Sequence, residues 1–267
     1  MCFPDEVSVS TPIPSRLDGI HHGDCLDLLP EVPENSVDLA YLDPPFATGR
    51  RLVGRDGLAF DDHWATIDDW MTFITPRIRA VISSLTSTGS ILVHCDWRTS
   101  HHVRFLLDDL LGPECFQNQL VWGYGLGGSS PKRFARKHDD IIWYSARPDA
   151  WYFDPPMVPA TSNRMRGRLK KATDVLDVPA LNNMAKERNG WPTQKPLALL
   201  EILVRACAPV DGLVLDPMCG SGTTLVAAKN TERRCLGFDR CPDAVKLARS
   251  RLDAIDSQRC ESSPLPR

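Results

Sequence analysis

The fold is decided by the stretch Tyr41-Leu42-Asp43-Pro44-Pro45-Phe46, which ends an apolar run that begins at Val37. An apolar run of this length, bounded by turn residues, is typical of a short buried strand. The two prolines have no N–H and a fixed φ, so they stop the strand and stiffen the turn that follows. In open α/β sheets ligands bind at the carboxyl ends of the strands. We therefore expect this turn, called here the proline turn (residues 43–46), to present a carboxylate and an aromatic ring to a ligand.

The composition of the whole chain is typical of a globular protein with one large α/β domain. The chain has 267 residues, of which 42% are hydrophobic and 24% charged, and these values are ordinary. No apolar run approaches the length of about 18 residues that a membrane span needs, and the N-terminus lacks a signal pattern, so we expect a cytoplasmic protein. The net charge of −3 gives no global basic surface. Contact with nucleic acid would have to come from local basic patches.

The nine cysteines are odd in number, scattered, and never spaced as C-x-x-C. This pattern argues against a disulfide framework and favours reduced, buried thiols. The histidines have no acid or cysteine at ligand spacing, so the sequence predicts no metal site.

Apolar runs alternate with helical periodicity along most of the chain, which is typical of a parallel α/β sheet. The pattern predicts strands at 19–22, 37–42, 91–94, 213–215 and 235–239, an antiparallel pair at 119–124 and 140–145, and helices at 67–85, 100–111, 197–208, 225–230 and 242–255. One domain is therefore expected over residues 19–255. Residues 1–18 are expected to form a flexible N-terminal arm and residues 256–267 a disordered tail.

A second turn lies between a predicted strand and a predicted helix, and we call it the glycine turn (residues 216–224). Its sequence is Asp216-Pro217-Met218-Cys219-Gly220-Ser221-Gly222-Thr223-Thr224. Its two glycines allow the backbone to approach a ligand closely, and the N–H groups at the start of the following helix are free to bind it. Asp239 ends the next strand, near the spacing at which an acid accepts hydrogen bonds from ribose hydroxyls. This layout predicts an adenosine-containing cofactor, and the absence of Gly-Lys-Ser/Thr excludes a P-loop.

The two turns together resemble the S-adenosylmethionine-dependent DNA amino-methyltransferases, and the order of the turns resembles the beta class. Further matches are Gly23-Asp24-Cys25, Lys137-His138-Asp139 and Pro192-Thr193-Gln194-Lys195-Pro196. The resemblance covers residues 19–255 and implies a Rossmann-like methyltransferase fold: a mostly parallel, doubly wound sheet with an antiparallel edge hairpin and a circularly permuted motif order. Met218 stands where the family usually has Phe, and its side chain can fill the same apolar volume.

The resemblance also assigns residues to the cofactor S-adenosyl-L-methionine. It implies that Asp24 and the Cys25 backbone hold the adenine and that Asp239 holds the ribose. The methionine part would be held by Thr193, Gln194, Lys195, Pro196, Asp216, Pro217, Met218, Gly220, Ser221, Gly222, Thr223 and Thr224.

The proline turn has the groups that methylation of an exocyclic amino group requires. Such a nitrogen is a poor nucleophile, because its lone pair is delocalised into the ring. Asp43 and the Pro44 carbonyl can accept its two N–H hydrogens and orient it for in-line transfer, with Pro45 stiffening the turn. Phe46 can stack on a base that is rotated out of the duplex. A cytosine-C5 enzyme would need a cysteine nucleophile, typically after a proline, and the chain has no Pro-Cys dipeptide.

The resemblance implies a site-specific methylase of double-stranded DNA and favours adenine N6, because cytosine-N4 relatives more often carry Ser in place of Asp43. Cytosine N4 stays an alternative, as does a non-catalytic DNA- or cofactor-binding module. A homodimer and a cognate restriction endonuclease of a restriction-modification system are compatible partners.

Three segments have a weak pattern and are expected to be DNA-contacting insertions: 47–66, 125–137 and 149–190. Basic runs are usually solvated faces, but on insertions beside the predicted site we expect them to contact phosphates. The predicted DNA-binding residues are Arg50, Arg51, Lys132, Arg133, Arg136, Lys137, Arg164, Arg166 and Arg168.

Overall fold

The computed structural model describes residues 18–53, 59–125, 129–160, 164, 166–182 and 184–262. Its centre is an eight-stranded sheet in the order β1-β12-β11-β2-β5-β7-β6-β10, and two short hairpins, β3–β4 and β8–β9, lie outside it. The strands are β1 Gly19–His22, β2 Val37–Leu42, β3 Arg50–Val53, β4 Ala59–Asp62, β5 Leu85–Cys95, β6 Phe116–Gly123, β7 His138–Ser145, β8 Met157–Pro159, β9 Leu169–Lys171, β10 Val175–Asp177, β11 Leu213–Asp216 and β12 Arg234–Asp239.

Helices cover both faces of this sheet. They are α1 Cys25–Leu28, α2 Ile67–Ser84, α3 Ser100–Leu111, α4 Leu197–Cys207, α5 Thr223–Asn230 and α6 Pro242–Ser262. Side chains of β2 alternate between the two layers: Ala40 and Leu42 belong to the core with α2 and α3, whereas Leu39 and Tyr41 belong to the core with α4, α5 and α6. Burial on both faces explains why this strand is an apolar run without polar alternation.

The predicted α/β fold is confirmed. Strands β1, β12, β11, β2 and β5 pair in parallel, and β7 runs antiparallel to both β5 and β6. Although far apart in sequence, β2 and β11 are direct neighbours, with Leu39 beside Val214 and Ala40 beside Leu215. The proline turn and the glycine turn therefore leave the sheet side by side at its carboxyl edge.

The expectation that residues 149–190 lie outside the core is wrong for part of the segment. Strand β10 pairs in parallel with β6 and forms the outer edge of the main sheet, so the hairpin β6–β7 is not the edge. Leu176 and Val178 are buried, and the Trp122 ring N–H donates to the Val178 carbonyl at 2.7 Å. A strand of three residues is too short to give a period, which is why the sequence pattern missed it.

One expected insertion contains regular structure, and one other boundary differs from the expectation. Residues 47–66 contain the hairpin β3–β4, and helix α6 continues to Ser262, so the tail is not irregular from residue 256 onwards. Of the expected arm, residues 1–17 lie outside the described residues. Among the cysteines whose side chains the structure describes, all seven are free thiols and six are buried. Within the described ranges, no helix is long and apolar enough to cross a membrane.

Candidate active site

A cavity opens at the carboxyl edge of the sheet, where β2 and β11 end side by side. Of the predicted catalytic and cofactor residues, Pro196 and Gly222 do not line it; they occupy the N-cap positions of α4 and α5. The predicted residues that do line it are Asp24, Cys25, Asp43, Pro44, Pro45, Phe46, Thr193, Gln194, Lys195, Asp216, Pro217, Met218, Gly220, Ser221, Thr223, Thr224 and Asp239.

The carboxylate of Asp43 has one oxygen engaged and one oxygen free. Its Oδ2 forms an ion pair with Nζ of Lys195, which comes from the loop before α4. Its Oδ1 is buried and has no hydrogen-bond partner among the described residues. Leaving a buried acceptor unsatisfied costs about 1–3 kcal/mol, and more for a charged group. Such an atom in a pocket wall is therefore suited to receive a donor from a ligand.

Two side chains from the segment after the proline turn hold that turn in place. The Trp70 ring N–H donates to the Pro45 carbonyl at 2.6 Å. Asp62, which is only 1% exposed, accepts the backbone N–H groups of Ala47 at 3.0 Å and Thr48 at 2.9 Å, and also the Thr48 hydroxyl and the Trp64 ring N–H. Ala47 has a φ of 53°, a left-handed conformation that side chains disfavour. The Asp62 carboxylate thus fixes a backbone that would otherwise relax.

The Phe46 ring packs against the ring of a buried histidine, His94. Its ring stacks on that of His94 with 5.6 Å between centroids and 23° between planes. The Tyr41 hydroxyl lies 2.7 Å from Nδ1 of His94 and the Asp139 carboxylate 3.3 Å from Nε2. An ionised carboxylate only accepts hydrogen bonds, so Nε2–H of His94 donates to Asp139. In that tautomer Nδ1 has no hydrogen and accepts from the Tyr41 hydroxyl. These hydrogen bonds at both ring nitrogens fix the orientation of the His94 ring, on which the Phe46 ring stacks.

The glycine turn depends on close backbone contacts. Gly220 and Gly222 have φ values of 51° and 74°. A Cβ on Gly220 would lie 2.9 Å from the Trp191 ring nitrogen, and a Cβ on Gly222 would lie 2.6 Å from Cβ of Ala248 in α6. Both positions therefore require glycine for conformation and for space. The N–H of Gly220 donates to Oδ2 of Asp239 at 2.8 Å, which ties this turn to the end of β12.

Two carboxyl groups lie at the ends of β11 and β12: Asp216 is buried and Asp239 is half-buried. Burial of Asp216 raises its pKa to about 7, and the nearby charges of Asp43 and Asp239 add to the rise, although Thr224 and the Met218 N–H oppose it. Partial burial also raises the pKa of Asp239, against hydrogen bonds from the N–H groups of Cys241 and Gly220. A cationic ligand beside these groups would favour their charged forms.

Asp24, predicted to contact adenine, lines the cavity but is already engaged. Both of its oxygens accept from Nη2 of Arg77, at 3.0 and 2.8 Å, and Oδ1 also accepts the Leu26 N–H. Burial opposes ionisation of Asp24, but the Leu26 N–H and the guanidinium groups of Arg77 and Arg240 outweigh burial and lower its pKa. Asp24 thus holds a charged pair at the cavity wall.

Gln194 also has a role in the loop itself. Its side-chain oxygen accepts the Asn189 N–H at 2.9 Å, and its amide nitrogen donates to the Glu187 carbonyl at 2.8 Å. These bonds fold the loop that brings Trp191 and Lys195 to the cavity.

The sequence prediction missed several residues of the site. Some line the cavity and others support its walls, and most come from segments without a motif. Three of them stand in or beside a quoted motif: Tyr41 precedes the proline turn, Cys219 lies in the glycine turn and Trp191 precedes the Pro192–Pro196 motif. These three could have been inferred from their neighbourhood. The missed residues are Tyr41, Thr48, Leu52, Asp62, Trp70, Phe73, Arg77, His94, Trp191, Cys219, Arg240 and Cys241.

The predicted DNA-binding residues lie apart from the cavity lining, on three surface segments. All are exposed except Lys137, which is half-buried. Arg50 and Arg51 lie on β3, and the guanidinium of Arg136 stacks over the Trp97 ring at 3.5 Å. Contact of these residues with phosphates stays a prediction. Among the described residues, no group of three or more His, Cys, Asp or Glu side chains is arranged to hold a metal ion.

The sequence was also compared with families of known proteins. The family model for N6/N4 methyltransferases, described as DNA methylase, matches residues 37–250. The type II methyltransferase M.ScaI from Streptomyces caespitosus is 30% identical over 250 residues, which cover 88% of this chain and 81% of M.ScaI. The type II methyltransferase M.HpaI from Haemophilus parainfluenzae is 27% identical over 233 residues, which cover 85% of this chain and 71% of M.HpaI.

Solved structures show the same architecture. The M1.HpyAVI–SAM complex superposes with a TM-score of 0.63 at 21% identity, covering 88% of this chain and 98% of that one. The PvuII DNA methyltransferase, described as cytosine-N4-specific, gives a TM-score of 0.66 at 18% identity, covering 89% of each chain. At these identities the likeness shows the shared fold.

Proposed function

The chain belongs to the N6/N4 family of DNA methylases, and from this premise we propose that it methylates the N6 amino group of adenine in double-stranded DNA. S-adenosylmethionine is the cofactor of the family. When bound, it supplies a methyl group on a positively charged sulfur atom.

The cavity has features that fit this cofactor. Gly220 lines the cavity and has no side chain, so the backbone of the glycine turn can approach a ligand there. The carboxylates of Asp216 and Asp239 suit a ligand with a positive sulfur and an ammonium group. In this proposal Asp216 and the glycine turn hold the methionine part, together with Thr193 to Pro196. Asp239 accepts from the ribose through lone pairs that its bonds to Gly220 and Cys241 leave available.

The free oxygen of Asp43 is the observation that carries the proposed chemistry. Oδ1 is buried at the cavity wall without a partner, where it can accept an N–H from an exocyclic amino group. The Pro44 carbonyl is proposed to accept the second hydrogen. Together they orient the nitrogen lone pair towards the methyl group. In the transfer the amino nitrogen would form a bond to the methyl carbon while the bond from that carbon to sulfur breaks, which leaves a neutral thioether. The methylated nitrogen would then release one proton to solvent.

The stacked pair of Phe46 and His94 supports a platform for the target base. A base can stack on Phe46 only after it leaves the duplex, because the ring lies beside the cavity at the sheet edge. Lys195 lies 5.1 Å above the same ring and pairs with Oδ2 of Asp43. We propose that Lys195 holds the carboxylate so that Oδ1 faces the amino group.

Adenine is favoured over cytosine by Asp43 itself, since the resemblance expects Ser there more often in cytosine-N4 enzymes. Cytosine N4 is the second candidate, because the family model covers both N6 and N4 methyltransferases. M.ScaI and M.HpaI are both named type II methyltransferases. We therefore include a cognate restriction endonuclease in the proposal.

Analysis of methylated nucleosides tests the proposal. Unmethylated DNA is incubated with the protein and S-adenosylmethionine, digested to nucleosides and measured by mass spectrometry. We expect N6-methyladenine with the wild type and none with Asp43→Ala. The variant Asp61→Ala, a change at an exposed aspartate, should retain the product. N4-methylcytosine alone would overturn adenine as the target. Tight cofactor binding without any methylated nucleoside would favour a non-catalytic module.

A further inference from the structure

Phe134 is the most exposed of the large hydrophobic side chains that the structure describes, at 99% of its accessible surface. It lies between β6 and β7, in the described segment 129–137, which we call the basic loop. Single exposed apolar residues are common on protein surfaces. A fully exposed phenylalanine is informative when its surroundings indicate what could cover the ring.

The basic loop emerges at the same sheet edge as the proline turn. Because β7 runs antiparallel to β5, its first residues pair with the last residues of β5, with Asp140 beside Cys95. The base of the loop is closed by a hydrogen bond from the Tyr124 N–H to the Lys137 carbonyl, at 3.1 Å. Immediately after the loop, Asp139 contacts His94, the ring that supports Phe46. The loop that carries Phe134 is thus joined to the wall behind the proposed base platform.

The residues around Phe134 indicate a polyanionic partner. Residues 129–137 contain four basic side chains and no acid. Arg136 stacks over Trp97 at 3.5 Å, and Arg98 lies 4.8 Å from the same ring. Trp97 is itself 46% exposed. An exposed aromatic ring set among cations is the combination that binds nucleic acid, since the cations contact phosphates and the ring stacks on a base.

We propose that Phe134 inserts into the DNA base stack beside the target base and occupies space that the base leaves when it rotates out. This inference deepens the proposed function and rests on its base-flipping step. The flanking cations would hold the two phosphate backbones while the ring replaces part of the lost stacking. A partner protein would cover an apolar ring more readily if the surrounding surface were less uniformly basic.

A comparison of paired and weakened duplexes tests the insertion. The target site is first located by sequencing methylated DNA from cells that express the protein. Single-turnover methyl transfer is then measured on a fully paired duplex and on a duplex with an abasic position opposite the target. For Phe134→Ala we expect transfer to the paired duplex to fall about 10-fold or more, the loss typical of one stacking contact. Transfer to the abasic duplex should stay within about threefold of the wild type, because its target is less stacked.

Two control variants separate insertion from other effects. Phe134→Trp keeps a stacking ring and should retain transfer to the paired duplex. Phe105→Ala removes another exposed ring, 72% accessible on α3, and should alter neither rate. The proposal is overturned if Phe134→Ala transfers methyl groups at the wild-type rate on both duplexes. It is also overturned if the rate falls by the same factor on both duplexes. The proposal would also be overturned if Phe134→Ala differed from the wild type in molar mass on sedimentation but had an unchanged rate of methyl transfer on the paired duplex. That result would assign the ring to self-association.

A second readout does not depend on methyl transfer. With 2-aminopurine at the target position, the wild type should raise the fluorescence on binding and Phe134→Ala should raise it much less. An equal rise with both proteins would contradict the insertion. Failure of the proposed function gives a different result, namely a wild type that methylates another base or no base.

Discussion

The proline turn and the glycine turn begin alike and are built in opposite ways. Each follows a buried strand of the same sheet and starts with Asp-Pro, at Asp43 and at Asp216. In the glycine turn, Gly220 and Gly222 lie so close to the side chains of Trp191 and Ala248 that no Cβ would fit, and Asp216 is only 2% exposed. The proline turn is held by side chains, and its Asp43 carboxylate keeps an unpaired oxygen. Because of this difference, we propose that the glycine turn holds the cofactor and that the proline turn acts on the substrate.

Gly222→Val should have the largest effect on cofactor affinity, because the new side chain would distort the backbone of the glycine turn. Its Cβ would lie 2.6 Å from that of Ala248 at a φ of 74°. Overpacking costs about 1–3 kcal/mol and the left-handed conformation roughly 1–2 kcal/mol more. We expect affinity for S-adenosylmethionine to fall at least about 100-fold, measured by calorimetry. Gly19→Val is the matched control, since Gly19 has a φ of 86° but no atom within 4 Å of its Cβ position. Unchanged affinity in Gly222→Val would contradict this view of the turn.

Asp62→Asn should damage the proline turn and leave the glycine turn intact. An amide keeps one acceptor oxygen where the carboxylate accepts four hydrogen bonds. Loss of hydrogen bonds to a charged group costs about 1.5–3 kcal/mol, so the unfolding midpoint should fall. We expect methyl transfer at saturating cofactor to slow about 10- to 100-fold. Asp61→Asn, at the exposed neighbouring residue, should change neither quantity. A wild-type rate in Asp62→Asn would show that Asp62 is not needed to position Asp43.

The pH dependence of cofactor binding should depend on Asp216. Its pKa of about 7 means that the empty protein binds a proton there below neutrality. A cationic ligand favours the charged carboxylate, so binding below this pKa must release the proton. Affinity should therefore fall as the pH drops from 8 to 6, by at most about tenfold per pH unit. Calorimetry in buffers of different ionisation enthalpy measures the proton release. In Asp216→Asn the slope should vanish, and a retained slope would assign it to another group.

The same carboxyl affects the stability of the empty protein. Its folded pKa of about 7 lies above the value of 3.8 for an unperturbed Asp, so the folded state carries the extra proton between these values. Stability should therefore decrease as the pH rises through that window.

Ala47→Gly should give the smallest effect. It relieves a left-handed φ of 53°, worth roughly 1–2 kcal/mol, but adds backbone freedom to the unfolded chain, which costs about 0.5–1 kcal/mol. We expect a change of less than about 1 kcal/mol in the free energy of unfolding and a transfer rate within about twofold of the wild type. A large loss of methyl transfer would mean that the hydrogen bonds from Ala47 and Thr48 to Asp62 do not determine this backbone conformation.

Local chemistry made the two turns predictable from the sequence. Asp43 and Gly222 stand at the ends of clear strand patterns, and prolines and glycines punctuate them. The contacts that complete the site were not predictable in this way. Lys195 lies 152 residues from Asp43 in the sequence, and nothing near either residue indicates their ion pair. The sequence motif predicts only that Lys195 contacts the cofactor. The pairs Asp62–Ala47 and His94–Phe46 likewise depend on packing between separate elements.

The most direct test of the division between the two turns compares Asp43→Asn with Asp216→Asn. Affinity for S-adenosylmethionine is measured by calorimetry at pH 8, and single-turnover transfer is measured at saturating cofactor. Asp43→Asn should bind the cofactor within about threefold of the wild type but transfer methyl groups at least about 100-fold more slowly. Asp216→Asn should bind about tenfold more weakly and, once saturated, transfer within about threefold of the wild type. Normal transfer by Asp43→Asn, or an equal loss of cofactor affinity in both variants, would contradict the account.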